Sequence, residues 1–227
     1  MMLLKQRQRF LSDILSKFLI VVFVGIFSSV GAFALTYEQI KECYIKSYSY
    51  EKEGNYKKAI EVLTPVYNNY PNGYTVNLRL GWLYYLWGKY ANSEFHYKKA
   101  LKVVPTSVEA MLGLSLPYMA EKSWSKVESL MYRLLRVDFY NYYGNLRLSL
   151  ALRKEGKYSI AASVDRKMLS LYPSDVNFLL ELALNLYNQG KKAYAYSIFR
   201  DILILAPDNK VANDYVKKLE KAFSVKR

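Results

Sequence analysis

Few side chains in this sequence can act as nucleophile, general base or metal ligand. Cys43 is the only cysteine and His96 the only histidine. A Ser-His or Cys-His catalytic pair would have to use His96. A zinc site built from cysteines and histidines needs more of both than the chain holds. Glu51 and Glu53 flank Lys52 at a helix end and read as a solvated face. There is no glycine loop of the kind that cradles phosphate and no nucleophile elbow. No metal site and no cofactor are expected, and the residues point away from an enzyme. Binding by surface is what remains, so the elements that build the surface come next.

Of the 227 residues, 52% are apolar, enough for one sizeable core. The net charge is +14 and the sequence pI about 9.6. Lys5, Arg7, Arg9 and Lys17 against Asp13 precede residue 35, which leaves +11 on the remainder. A basic surface favours acidic proteins, anionic lipid or nucleic acid without choosing among them.

The first 34 residues read as an export signal. A basic segment ends at Lys17, an apolar run Phe18–Phe27 follows, and small residues lead to Ala32-Phe33-Ala34, an A-x-A cleavage pattern. The run is short for a membrane span, which needs about 20 residues. An uncleaved anchor extending to Leu35 remains the other reading. Both place the chain after Leu35 on the far side of the membrane, periplasmic or secreted. Cys43 follows Ile40-Lys41-Glu42, which is no lipobox.

Three sets of marks then share one 34-residue period. Gly54, Gly88, Gly156 and Gly190 form the first, with Lys122 on the empty node. Pro71, Pro105, Pro173 and Pro207 form the second, with Phe139 on its empty node. Tyr56, Tyr90, Trp124 and Tyr158 form the third, which Lys192 ends. The resulting repeats are 40–73, 74–107, 108–141, 142–175 and 176–209, each with two apolar stretches at helical spacing. Small residues recur in each first helix (Ser47, Gly81, Ser115, Ser149, Ala183) and, with Val127 as the largest, in each second helix (Ala59, Ser93, Val127, Ala161, Ala195). Such residues let two helices approach to roughly 8–10 Å.

With these marks the sequence resembles the tetratricopeptide repeat family across residues 40–209, most clearly in repeats 2, 4 and 5. The resemblance implies an all-α, right-handed superhelical solenoid of five helix-turn-helix repeats. Residues 210–227 supply a C-terminal capping helix and tail, whose stripe of Tyr215, Val216, Leu219 and Phe223 would cover the last repeat. Residues 35–39 form a helix lead-in, where Thr36 and Gln39 make a capping box. The third repeat is irregular, since Pro117 falls inside its first helix, where proline ordinarily kinks the chain. It reads either as drift or as a change of superhelical curvature.

In this family the first helices line a concave groove. The places that face it hold Tyr44, Leu78, Leu112, Leu146 and Leu180; Tyr48, Trp82, Leu116, Leu150 and Leu184; and Glu51, Tyr85, Met119, Arg153 and Tyr187. Either these rows form an apolar groove for an extended or helical segment of another protein, or tighter packing buries them. Arg79 and Arg147 are secondary polar contacts. The family's carboxylate clamp is not matched, because Tyr44 and Tyr48 replace its Lys and Asn. Basic residues on second helices, such as Lys57, Lys98 and Lys191, give a convex charge that solvates, or attracts anionic membrane surface or acidic envelope polymer. The expectation is an exported scaffold that binds protein or peptide and assists assembly in the cell envelope. A membrane-tethered subunit with a permanently filled groove is the alternative. An RNA-binding helical repeat is disfavoured by the export signal.

Overall fold

The computed structural model describes residues 34–224, so the expected export signal, up to Phe33 of its A-x-A pattern, lies outside the described residues. The capping box is formed as the sequence demands: Thr36 N donates to Gln39 Oε1 at 2.9 Å, and Gln39 N donates to Thr36 Oγ1 at 3.3 Å. It opens α1 (Tyr37–Lys52). A compact unit begins at Lys41.

First helices α4 (Tyr74–Leu86), α6 (Val108–Ala120), α8 (Tyr142–Lys154) and α10 (Val176–Asn188) each begin on the first residue of their repeat. The residue just before each is Gly73, Ser107, Asn141 or Asp175, and it is the N-cap. Ser107, Asn141 and Asp175 accept amide protons at 2.8–3.1 Å, which satisfies donors the first turn would leave bare. Second helices α5 (Tyr90–Val103), α7 (Trp124–Leu135), α9 (Tyr158–Leu169) and α11 (Lys192–Leu205) begin on the third of the periodic marks. Each helix from α4 onward packs on its successor, ending with α12 (Lys210–Ser224) against α11. First helices also meet across repeats, α4 with α6 and α8 with α10.

The small residues sit where helices cross. Ser47, Ser115, Ser149 and Ala183 are wholly buried, as are Ala59, Ser93, Val127, Ala161 and Ala195. The four marker glycines have φ of +71 to +80°, and Lys122 on the empty node keeps the same left-handed turn at φ 56°. A Cβ there is crowded by the following carbonyl, so the lysine stands where glycine is preferred.

Two prolines act differently from one another. Pro65 splits the second helix of repeat 1 into α2 (Tyr56–Glu61) and α3 (Thr64–Asn69), a break the sequence reading did not anticipate. Proline has no N–H for the carbonyl four residues back. The Leu63 amide therefore turns to Ile60 O at 3.0 Å before Tyr67 resumes the helical step on Leu63 O. Pro117 by contrast is tolerated, and α6 runs through it to Ala120. The expected interruption does not occur. Arg147 Nη1 reaches in from α8 to donate to Leu112 O at 2.6 Å and Ser115 Oγ at 2.5 Å, which ties α6 to α8 along this stretch.

Candidate binding groove

Helices α1, α4, α6 and α8 wall a cleft of about 440 Å³. Its lining includes eight of the seventeen residues expected from sequence: Tyr44, Tyr48, Leu78, Arg79, Trp82, Leu112, Leu116 and Arg147. Tyr85 stands beside it, its ring 5.8 Å from that of Trp82. Met119, Leu150, Arg153 and Tyr187 are half-buried outside the cleft, and Leu184 is buried with the core of the last repeats. The fifth-place row (Tyr44, Leu78, Leu112, Leu146, Leu180) is half-buried throughout. Of the rows, Tyr48 at 51% exposure presents the most open aromatic face.

The cleft floor is Tyr97, delivered by α5 through a gap between two first helices. A Cβ on Gly113 would lie 2.2 Å from the Tyr97 ring, and one on Gly81 would lie 2.9 Å away. Only hydrogen at both positions lets the ring through. Burial pushes the Tyr97 phenol well above its usual pKa, so it stays protonated.

The arginines divide by their partners. Arg79 is buried and pairs with the Glu51 carboxylate through Nη1, while Nη2 and Nε bond Ser47 Oγ at 3.1 and 3.3 Å. Trp82 Nε1 donates 2.7 Å to the other Glu51 oxygen, and the guanidinium lies 3.9 Å from the Tyr48 ring centre. Arg153 is bidentate on Glu181 at 2.7 and 2.9 Å. Neither is a free polar contact for a partner; each charge is consumed by a neighbouring first helix. Arg147 is the exception. Its bonds go to a carbonyl and a hydroxyl, with no carboxylate in ion-pair range among the described residues.

His96 and Cys43 carry no chemistry that the site uses. His96 is buried, bonded through Nδ1 to Asn77 Oδ1 at 2.9 Å, and stacked on Tyr84 with centroids 5.3 Å apart. Burial holds it neutral, with its pKa lowered to about 4. Cys43 is a free, half-buried thiol. No group of three or more His, Cys, Asp and Glu could hold a metal among the described residues.

Sequence reading missed Asp165. It occupies the place held by Leu63, Tyr97, Met131 and Phe199 in the other repeats. It is wholly buried, and Asn185 Nδ2 donates to its Oδ2 at 2.9 Å. Asp165 Oδ1 and Asn185 Oδ1 have no donor. Burial pushes its carboxyl up to about 7. Aligning the five repeats column by column would have exposed it as the one charge in an apolar column.

This geometry, stacked helical pairs whose first members wall a common cleft, defines an α-solenoid scaffold. The stack has the fold of tetratricopeptide repeat proteins. The tetratricopeptide repeat family matches at residues 43–68 and 74–106. No curated protein matches the chain. Among solved structures, a tetratricopeptide repeat protein from Parabacteroides merdae is 18% identical with a TM-score of 0.75, over 82% of this chain and 74% of that one. A MamA protein is 19% identical with a TM-score of 0.67, over 74% and 92%. MamA from Desulfovibrio magneticus is 14% identical with a TM-score of 0.69, over 76% and 97%. These likenesses are of fold.

Proposed function

We propose that this chain is an exported, non-enzymatic scaffold that holds a segment of another protein in the cleft of its first helices and assists assembly in the cell envelope. The observation that carries this reading is the convergence of Tyr44, Tyr48, Trp82, Leu78, Leu112 and Leu116 on one open cleft. Aromatic and aliphatic side chains gathered on an open cleft are what a peptide-binding surface needs, and Leu78, Trp82 and Leu112 are held in place there by packing against the core as well. Export rests on the N-terminal pattern ending at Ala34.

Tyr48→Ala tests the groove. The side chain is half exposed, so its loss should move the melting temperature little. An aromatic anchor at an interface contributes roughly 2 kcal/mol, so recovery of the envelope partner should fall about 30-fold. Unchanged recovery with normal abundance would remove Tyr48 from the interface. Peptide mapping of the native protein checks export separately: the mature chain should begin at Leu35, and peptides from residues 1–34 would favour the tethered alternative.

A further inference from the structure

Some contacts in this protein recur every second repeat, and the bond from a second-helix cation to the preceding turn carbonyl is present in repeat 3 as well, from Arg133 to Pro105 O. Asn77 Nδ2 bonds Pro71 O and Gly73 O, and sixty-eight residues on Asn145 Nδ2 bonds Phe139 O and Asn141 O. Lys99 and Lys167 donate to the same two turn carbonyls, Pro71 O and Phe139 O. The Tyr74 hydroxyl meets Ser107, and Tyr142 meets Asp175. Repeats 2 and 4 are thus built to one plan, which allows a place-by-place comparison.

One of their differences lies behind this asparagine. In repeat 2 the space behind the conserved asparagine is plugged by the chain's own rings. His96 bonds Asn77 Oδ1, stacks on Tyr84, and meets Tyr67 and Phe95 edge-on at 5.3 and 5.1 Å. The corresponding residues around Asn145 are Leu135, Leu152, Ser163 and Val164. None is aromatic and none of their side chains can bond Asn145 Oδ1, which is buried without a partner. In place of the plug is an open cleft of about 380 Å³. It is walled by Leu135, Phe139, Leu148, Ile160 and Val164, and its mouth carries Arg136 and Lys167.

The surroundings match a docking surface. Phe139, Tyr140 and Ile160 are each about half exposed, at 56%, 53% and 50%. An exposed apolar cluster of this kind marks a contact site. Neither Arg136 nor Lys167 has a carboxylate in ion-pair range among the described residues; Lys167 lies 3.9 Å from the Phe139 ring centre.

We propose that this cleft is a second docking site, independent of the first-helix groove, which takes an aromatic side chain of a partner protein flanked by an acidic residue. The aromatic group replaces the rings that fill the twin position in repeat 2, and the acid meets the two cations at the mouth. Aromatic rings combine large contact area with edge-on geometry, as the resident plug does.

The test uses the full-length protein with labelled Ile, Leu and Val methyl groups. It is titrated with a capped pentapeptide of sequence glycine, aspartate, phenylalanine, glutamate, glycine. Saturable shifts at the Ile160 and Val164 methyls are expected. Peptides with leucine for phenylalanine, or lysine for both acids, should bind at least about tenfold more weakly. The double variant Ser163→Phe with Val164→His installs the repeat 2 plug. It should melt higher, because His at 164 can reach Asn145 Oδ1, and should lose the peptide shifts. Ile160→Asp, at the half-exposed mouth, should lose binding without a change in melting temperature and serves if the plugged variant misfolds. No saturable shift, equal binding of the leucine peptide, or retained binding by the plugged variant overturns the proposal. Shifts that follow protein concentration without peptide would assign the cleft to a second copy, and shifts produced by lipid vesicles alone would assign it to membrane; either result also overturns it.

Discussion

Replacing Asp165 by Asn should make stability less dependent on pH, with a sign opposite to the usual carboxylate. An acid paired on folding has a lowered pKa and stabilises at neutral pH. Asp165 is raised from 3.8 to about 7 by burial, against the bonds of Ser149 and Asn185 that lower it, with Glu181 raising and Arg153 lowering. Its folded form therefore binds a proton that the unfolded form has lost between pH 3.8 and 7. Stability falls as pH rises across that window, and is restored in full only below it. The shift corresponds to at most about 4 kcal/mol, at 1.36 kcal/mol for each unit. An amide at this position carries no charge to bury and can still accept from Asn185 Nδ2. Asp165→Asn should thus unfold at higher urea at pH 8, by the equivalent of a few kcal/mol, and near the wild-type value at pH 4. Urea melts followed by circular dichroism at intervals between these limits measure it. His96 provides an internal control. Its pKa is lowered to about 4 by burial and by the Lys99 charge, so its contribution is present above pH 6.5 and is lost as pH falls towards 4. His96→Gln should remove the loss of stability on the acid side, on top of a pH-independent cost from the ring contacts it gives up. A difference between Asp165→Asn and wild type that is constant from pH 4 to 8 would refute the argument, as would a less stable variant at pH 8.

Two further substitutions follow from backbone geometry. Lys122→Gly should raise stability by about 1 kcal/mol, since the residue holds φ 56° in a turn that glycine occupies in the other four repeats; a lower melting temperature would count against it. Gly113→Ala should destabilise by about 3 kcal/mol and alter the near-ultraviolet signal of the tyrosines, because the new Cβ would fall 2.2 Å from the Tyr97 ring and α6 backbone cannot yield cheaply; a variant that melts as wild type would show that the ring moves aside.

The repeat frame was legible because its punctuation is chemical. A left-handed turn selects glycine, and the end of a second helix selects proline, so both reappear at every thirty-fourth residue and fix the start of helices α4 to α11. The cleft lining was expected from the family resemblance, which implies which face of each first helix lines a groove; the 34-residue period only placed that face on this sequence. The pairing within the groove was not. Nothing in the spacing of Arg79, Glu51 and Trp82, or of Arg153 and Glu181, shows that these charges meet, because the partners belong to successive repeats and the contact depends on how far one helix is rotated against the next. The break at Pro65 and the continuity at Pro117 were equally hidden. Both prolines remove one helical bond, yet one helix breaks and the other runs on, and the position of a proline in the sequence does not distinguish the two outcomes. Asp165 stood out in the 34-residue frame as a charge in the column of Leu63, Tyr97, Met131 and Phe199, but its burial beside Asn185 depends on packing between helices that spacing does not give.

The two-repeat plan explains that residue. Tyr97 and Asp165 are sixty-eight apart, as are Gly81 and Ser149, and Gly113 and Glu181. Where the first set places a ring between two glycines, the second places a short acid among a serine and a longer acid. Bulk has moved from the second helix onto the first helices, and polarity has come with it. One change alone would not serve: a ring at 165 would meet the side chains of Ser149 and Glu181, and a carboxylate at 97 would be buried beside glycines that offer no donor. The row of first helices thus carries an ion pair towards each end, Glu51 with Arg79 between α1 and α4 and Arg153 with Glu181 between α8 and α10, while the cleft floored by Tyr97 adjoins only the first of them.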